Sequence, residues 1–268
     1  TLAIEIFKDN TPKHFLHQLL SSQLDVDRLD YLCRDSFYTG VREGDIGASR
    51  LIKVLNVVDD QLVVDMKGLY SVENYLIARR AMFWQVYLHK TTLAADALLQ
   101  STLQRATDLA AKGKELYASP SLHYFLYTTQ PSKHEGWLEH YVNLDDSDIL
   151  SAVKVWQTSD DRVLALLSSA FVNRKLFKAM PLTEAPNELT LAELRGRLAD
   201  QLGISDDETL YFYTTRSVEK AMYDSSDGGI KMLSYEGNLT DISEVSHLIQ
   251  SAQGSHCACK QYLMHYPL

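Results

Sequence analysis

Leu24-Asp25-Val26-Asp27-Arg28-Leu29-Asp30-Tyr31-Leu32-Cys33-Arg34-Asp35 gathers groups that could bind or polarise a ligand. On a helix at about 100° per residue, Asp27, Tyr31, Arg34, Asp35 and Tyr38 share one face, with Arg28 at its edge. Leu29, Leu32, Cys33 and Phe37 gather opposite, as a core face would. Carboxylates, guanidinium groups and phenol hydroxyls together suit a metal-bound, polyhydroxylated or phosphorylated ligand. A salt-laced surface helix with charge pairs four residues apart fits the same pattern.

A second group lies downstream. From Ser71 to about Leu109 the chain has no proline or glycine and reads as one long helix. Arg80 and Tyr87 are seven residues apart on it and project in nearly the same direction. The Arg80 fork suits phosphate oxygens, and the Tyr87 ring suits a sugar. An amphipathic helix whose Arg and Tyr reach past the core is the plainer alternative. Met82, Phe83, Trp84 and Leu88 interleave as core or subunit contact.

Other clusters carry less chemistry. His14 and His17 are three apart but lack further ligands. Asp145, Asp146 and Asp148 lack the calcium-loop pattern and read as helix capping. His256-Cys257-Ala258-Cys259 has two thiols on one strand face, yet no second cysteine pair to complete a zinc site.

With 268 residues, 46% of them apolar, the chain can bury a sizeable core. Its 26 basic and 35 acidic residues give a formal charge of −9, which disfavours general nucleic-acid binding and leaves any phosphate site to a local pocket. Three cysteines make no disulfide framework and fit a reducing cytoplasm. No run approaches the roughly 18 apolar residues of a membrane span, and no signal or lipidation pattern occurs, so a cytoplasmic protein is expected.

The elements that must position these groups are mostly helical. Thr11 and Pro12 suit a helix start, Gly40 ends the Asp27 helix, and Ala48 to Leu55 forms a short one. Val57 to Val64 reads as a hairpin. Ser71 suits the next cap, Ser159 the start of a helix over Arg162 to Met180, and Thr190 a helix ending near Gly203. Strands over Thr209–Thr215, Ile230–Tyr235 and Cys257–Tyr266, with a helix near Asp241 to Gln250, make a small α+β unit. The expected architecture is mainly α, with residues 1–184 helical and 185–268 the α+β domain.

The wording from Leu24 to Tyr31, followed by Arg34-Asp35 and Thr39-Gly40, resembles HD-domain phosphohydrolases, in particular their deoxynucleoside triphosphate triphosphohydrolase (dGTPase-like) branch. Arg80, Tyr87, His89 and Lys90 form a second matching block. The resemblance implies a helical HD-type domain and a divalent metal, Mg²⁺, Mn²⁺ or another transition metal, of which Asp27 is one ligand. It implies that Arg28, Tyr31 and Arg80 bind the triphosphate, and that Asp35 and Tyr87 bind the deoxyribose. Arg50, His89 and Lys90 match positions that bind nucleotide activators, and a homo-oligomer is expected. The remaining ligands, a His and a His-Asp pair, belong upstream of Asp27, and no His-Asp dipeptide occurs here. The chain therefore reads as the carboxy-terminal part of a longer protein, without catalytic residues or activity of its own. A non-catalytic nucleotide-binding or oligomerisation module, and an HD hydrolase of another phosphoester, are the competing readings.

Overall fold

The computed structural model describes residues 1–226, 228–254 and 258–268. Two short helices come first, α1 (Leu2–Phe7) and α2 (His14–Leu20). Thr11 and Pro12 do not start α2. Its N-cap is Lys13, whose ammonium cannot accept from the first N–H groups, and the Thr11 hydroxyl donates to the Lys13 carbonyl at 3.4 Å.

Helix α3 (Val26–Thr39) starts on Asp25, whose carboxylate accepts the Arg28 N–H at 2.8 Å, and ends on Gly40 in the left-handed region at φ 73°. Its buried stripe is Leu29, Leu32 and Ser36, at helical spacing. Phe37, expected on that face, falls one residue beyond the stripe and is 80% exposed.

Helix α4 (Ala48–Val54) leads into the expected hairpin of β1 (Leu55–Val58) and β2 (Gln61–Asp65). Asp59 and Asp60 both have positive φ, 49° and 58°, as a twisted two-residue hairpin turn requires. Helix α5 (Leu69–Met82) begins before Ser71, which sits in its first turn and is not its cap. Gly68, just ahead of it, must be small. A Cβ there would lie 2.6 Å from the Val54 side chain and 2.9 Å from that of Val64.

The single helix expected from Ser71 to Leu109 is broken. Phe83–Tyr87 form a π turn, with Leu88 N–H donating to the Phe83 carbonyl at 2.7 Å, and α6 (Lys90–Ala111) begins anew. Helices α7 (Pro120–Tyr127), α8 (Trp137–Val142) and α9 (Asp146–Trp156) follow. Asp145 and Asp148 form a capping box on α9, as the acidic run predicts.

Helix α10 (Arg162–Val172) is capped by Asp161, not Ser159, and ends eight residues before Met180. Arg174 takes φ 55°, the backbone turns, and Lys178–Leu182 form strand β3. Helix α11 (Glu188–Leu202) starts on Asn187, which accepts the Thr190 N–H at 2.8 Å, and ends on Gly203. A 3₁₀ turn over Asp207–Tyr211 takes up much of the expected strand, so β4 is Tyr213–Lys220. The last elements are β5 (Lys231–Leu233), β6 (Leu239–Asp241), α12 (Ile242–Val245), α13 (His247–Gly254) and β7 (Ala258–His265).

These elements are mainly α, with a small amount of sheet from the β1–β2 hairpin and from strands toward the carboxy terminus. Their contacts divide the chain discontinuously, into Thr1–His89 with Glu219–Cys259 and Lys90–Val218 with Lys260–Leu268. That differs from the contiguous division after residue 184, for a physical reason. Strand β5 pairs in parallel with β2, Val64 opposite Met232, and completes a sheet ordered β1-β2-β5-β6 in unit 1. Unit 1 packs around Leu32, Leu51, Tyr75, Leu76, Met82 and Met232. In unit 2, β3, β7 and β4 form a second sheet, and separate clusters around Leu98 and Leu167 and around Trp156 and Leu164 form its core. No helix among the described residues is long and apolar enough to cross a membrane.

Candidate functional site

Unit 1 contains a cleft of about 400 Å³ lined by Gln23, Arg28, Tyr31, Arg79, Phe83, Glu219, Lys220, Ala221 and Asp224. Its volume lies within the range of small-molecule sites. Arg28 and Tyr31 come from the first turns of α3, Arg79 from the last turn of α5, and Phe83 from the π turn. The remaining wall is the segment that leaves β4.

Arg79 is 6% exposed. Its guanidinium donates to Gln23 Oε1 at 2.9 Å, the Gln23 carbonyl at 3.3 Å and the Met222 carbonyl at 3.1 Å. All three acceptors are neutral, and among the described residues no carboxylate pairs with it. The Tyr75 hydroxyl donates to the same Gln23 carbonyl at 2.7 Å and fixes that acceptor from behind. Burial pushes the Tyr75 phenol up to about 12, so it stays a donor. Arg28 is held instead by the Asp25 carboxylate and the Ser22 carbonyl, with a third of its side chain exposed.

Beside the cleft, the Tyr87 hydroxyl donates to Asp35 Oδ2 at 2.6 Å. Burial and then this carboxylate hold the Tyr87 phenol well above its ordinary range, so the proton stays on the tyrosine. The rings of Tyr31 and Tyr87 meet edge-on at 6.0 Å, and those of Phe83 and Tyr87 at 5.6 Å. Burial raises the Tyr31 phenol, and the positive charges of Arg28 and Arg79 pull it part of the way back. Cations and aromatic rings thus adjoin a carboxylate whose second oxygen has no hydrogen-bond partner among the described residues. Such a site can hold an anionic group at one end and a hydroxyl-bearing group at the other.

The sequence-based candidates therefore separate. Arg28, Tyr31, Asp35 and Tyr87 come together. Arg80 is exposed and does not line the cleft, whereas Arg79 does. The π turn is the reason, because it breaks the helical register from which a seven-residue spacing projects Arg80 and Tyr87 alike. Arg79 had a signal of its own, since it occupies a position of the buried stripe Val72, Tyr75, Leu76, Arg79 and Met82. Lys220 and its neighbours, more than 130 residues from Tyr87 in sequence, had none.

Asp27 is exposed in the first turn of α3. Among the described residues no three His, Cys, Asp or Glu side chains could together hold a metal ion. One carboxylate is not a metal site, so this chain by itself does not fit the implied metal. His14 is engaged by Asp9 at 2.7 Å and His17 by the Ile6 carbonyl at 3.1 Å. His256 and Cys257 lie outside the described residues. Of the three activator candidates, Arg50 is exposed on α4 and reaches the Lys67 carbonyl at 3.5 Å, while His89 and Lys90 are exposed at the start of α6.

The model of the HD associated region matches residues 46–121, a span that includes Arg79, Phe83 and Tyr87. The fold resembles the crystal structure of a phosphohydrolase from Bacteroides thetaiotaomicron at a TM-score of 0.93 and 49% identity, over 99% of this chain and 67% of that one. An uncharacterized Bacillus subtilis protein, YwfO, is 33% identical over 258 residues, 93% of this chain and 57% of its own length. A Dictyostelium discoideum homologue of the deoxynucleoside triphosphate triphosphohydrolase SAMHD1 is 28% identical over 95 residues, 34% of this chain and 18% of that protein. The chain thus spans little more than half the length of the first of these curated relatives. Its agreement with the Bacteroides protein runs through nearly every element described above, the cleft included, and on that footing the chain belongs to the HD phosphohydrolase superfamily.

Proposed function

We propose that this chain is the substrate-binding part of a metal-dependent phosphohydrolase that cleaves deoxynucleoside triphosphates to deoxynucleoside and triphosphate. The observation that carries the reading is Arg79, a buried guanidinium held by neutral carbonyls in a cleft, whose missing counter-charge an oligophosphate would supply. Arg28 and Arg79 bind phosphate oxygens, and Tyr31 donates a hydrogen bond to them. Asp35 accepts from the sugar 3′-hydroxyl, and the Tyr87 ring crowds the 2′ carbon against ribose. The Dictyostelium relative's name supports a deoxynucleotide over other phosphoesters.

Asp27 would be one ligand of a divalent metal, which would supply Lewis-acid activation of the phosphate ester; the described residues do not complete its site. Arg50, His89 and Lys90 serve an activating nucleotide, and the protein works as a homo-oligomer.

The test is hydrolysis by the longest native form of the protein, with Mg²⁺ or Mn²⁺, across a panel of deoxy- and ribonucleotides. Products are resolved so that triphosphate is told apart from pyrophosphate and phosphate. Triphosphate release that disappears in Asp27→Ala is the expected result. No turnover of any nucleotide, with or without an added activator, would leave a non-catalytic nucleotide-binding module as the better account.

A further inference from the structure

We infer that Lys220 is a third phosphate-binding residue of the cleft, delivered by the segment that returns to unit 1 from the far end of the sequence. The inference rests on the reading of the cleft as an oligophosphate site. Lys220 lines the cleft with Arg28 and Arg79, and its ammonium stands 4.5 Å from the centre of the Phe83 ring. That ring is itself fixed edge-on against Tyr87. An aromatic face holds a cation in place without neutralising it. No carboxylate pairs with Lys220 among the described residues.

The two carboxylates on the same wall do not change this. Asp224 is turned into its own loop, where it accepts from the Ser226 N–H at 2.9 Å and the Ser226 hydroxyl at 2.6 Å. Glu219 is exposed next to Lys220. The same wall also orients Arg79 through the Met222 carbonyl and Gln23 through the Asp224 carbonyl at 3.4 Å. One segment therefore adds a charge of its own and positions another. The consequence is a preference for a chain of phosphates over a single one, because three cations lining one cleft offer more partners than one phosphate group can use.

Binding of inorganic tripolyphosphate and of inorganic phosphate to the longest native form, measured by calorimetry, tests this. Lys220→Ala should weaken tripolyphosphate about tenfold, the scale of one charge-assisted contact, and phosphate far less. Lys220→Arg should restore most of the loss, and thermal melting should show both variants folded. Tripolyphosphate binding unchanged in Lys220→Ala but lost in Arg79→Gln would overturn the role of Lys220 and leave the cleft reading standing. Binding unchanged in both variants would remove the cleft reading and this inference with it.

Discussion

Each unit buries an arginine, and the two are held in opposite ways. Arg105 of unit 2, 7% exposed, donates to both oxygens of Asp161 at 3.0 and 2.7 Å and to Glu208 at 3.0 Å, with its guanidinium 5.0 Å from the Tyr211 ring centre. Arg79 of unit 1, 6% exposed, donates only to carbonyl oxygens and lies 5.8 Å from the Tyr75 ring centre, with no carboxylate partner among the described residues. Burying a charge costs several kcal/mol unless an opposite charge offsets it. Arg105 has its offset built in and ties the start of α10 to α6. Arg79 has partial dipoles and the Tyr75 ring but no opposite charge, so an anion bound in the cleft would offset the remainder. On the proposed reading, the charge of its partners, and not burial, separates a binding arginine from a structural one.

The largest effect that tests this contrast is on stability in unit 2. Arg105→Met leaves Asp161 and Glu208 facing a buried apolar group and should lower unfolding free energy by about 3–5 kcal/mol, read from urea melts. Oligophosphate affinity should not change beyond the loss of folded protein. Arg79→Gln should show the reverse. It should weaken tripolyphosphate about 30- to 100-fold, while stability stays within about 1 kcal/mol of the parent, because an unneutralised charge has been removed. A stability loss in Arg79→Gln as large as that in Arg105→Met would erase the distinction.

Acid sharpens the comparison on a smaller scale. Burial acts to raise the Asp161 carboxyl, but the Arg105 hydrogen bonds and the Leu164 N–H outweigh it and hold the group below its ordinary value. Glu208 is lowered too, first by the Ser205 N–H, with Arg105 contributing. Groups depressed in the folded state stabilise fully above their unfolded values of about 4, and the contribution is lost as pH falls through the folded values. The parent protein should therefore lose stability below about pH 4, and Arg105→Met should flatten that part of the curve. Urea midpoints at neutral and acidic pH for the two proteins check it. An equally steep acid limb in Arg105→Met would place the titrating groups elsewhere.

How far the sequence revealed these sites follows from how local each one is. Helix α3 was legible because its cap, stripe and stop all lie within sixteen residues, from Asp25 to Gly40. The acidic cap of α9 and the Asp59-Asp60 hairpin were legible for the same reason. Arg79 stood in the buried stripe of α5 but was passed over for Arg80, which the resemblance singled out and whose shared direction with Tyr87 assumed a helix unbroken by the π turn. Lys220 and the β2–β5 pairing were missed because a parallel pairing across more than 160 residues leaves no local pattern. The fold class survived these misses, since it depends on the many local helices. The contacts group the chain differently from a cut after residue 184, because Met222, Tyr223, Ile230, Met232, Ile242 and Ile249 join the core of unit 1.

The smallest effects come from a second matched pair, two tyrosines that each donate to a carboxylate. Tyr211 donates to Asp108 in unit 2 at 2.5 Å, and Tyr87 to Asp35 in unit 1 at 2.6 Å. Both phenols are raised, first by burial and then by the carboxylate each one faces, so each remains a donor at neutral pH. Tyr211→Phe and Tyr87→Phe should each lower stability by about 1 kcal/mol, one hydrogen bond with the ring retained. If unit 2 is scaffold and the cleft is site, only the second should alter nucleotide handling. On the proposed reading, Tyr87→Phe keeps the ring set against the 2′ carbon but frees Asp35 to swing, so KM for deoxynucleotides should rise while discrimination against ribonucleotides persists. Tyr87→Ala removes the ring as well, and discrimination should fall. Equal discrimination in the parent and Tyr87→Ala would show that the ring does not read the sugar, leaving Asp35 alone to orient it.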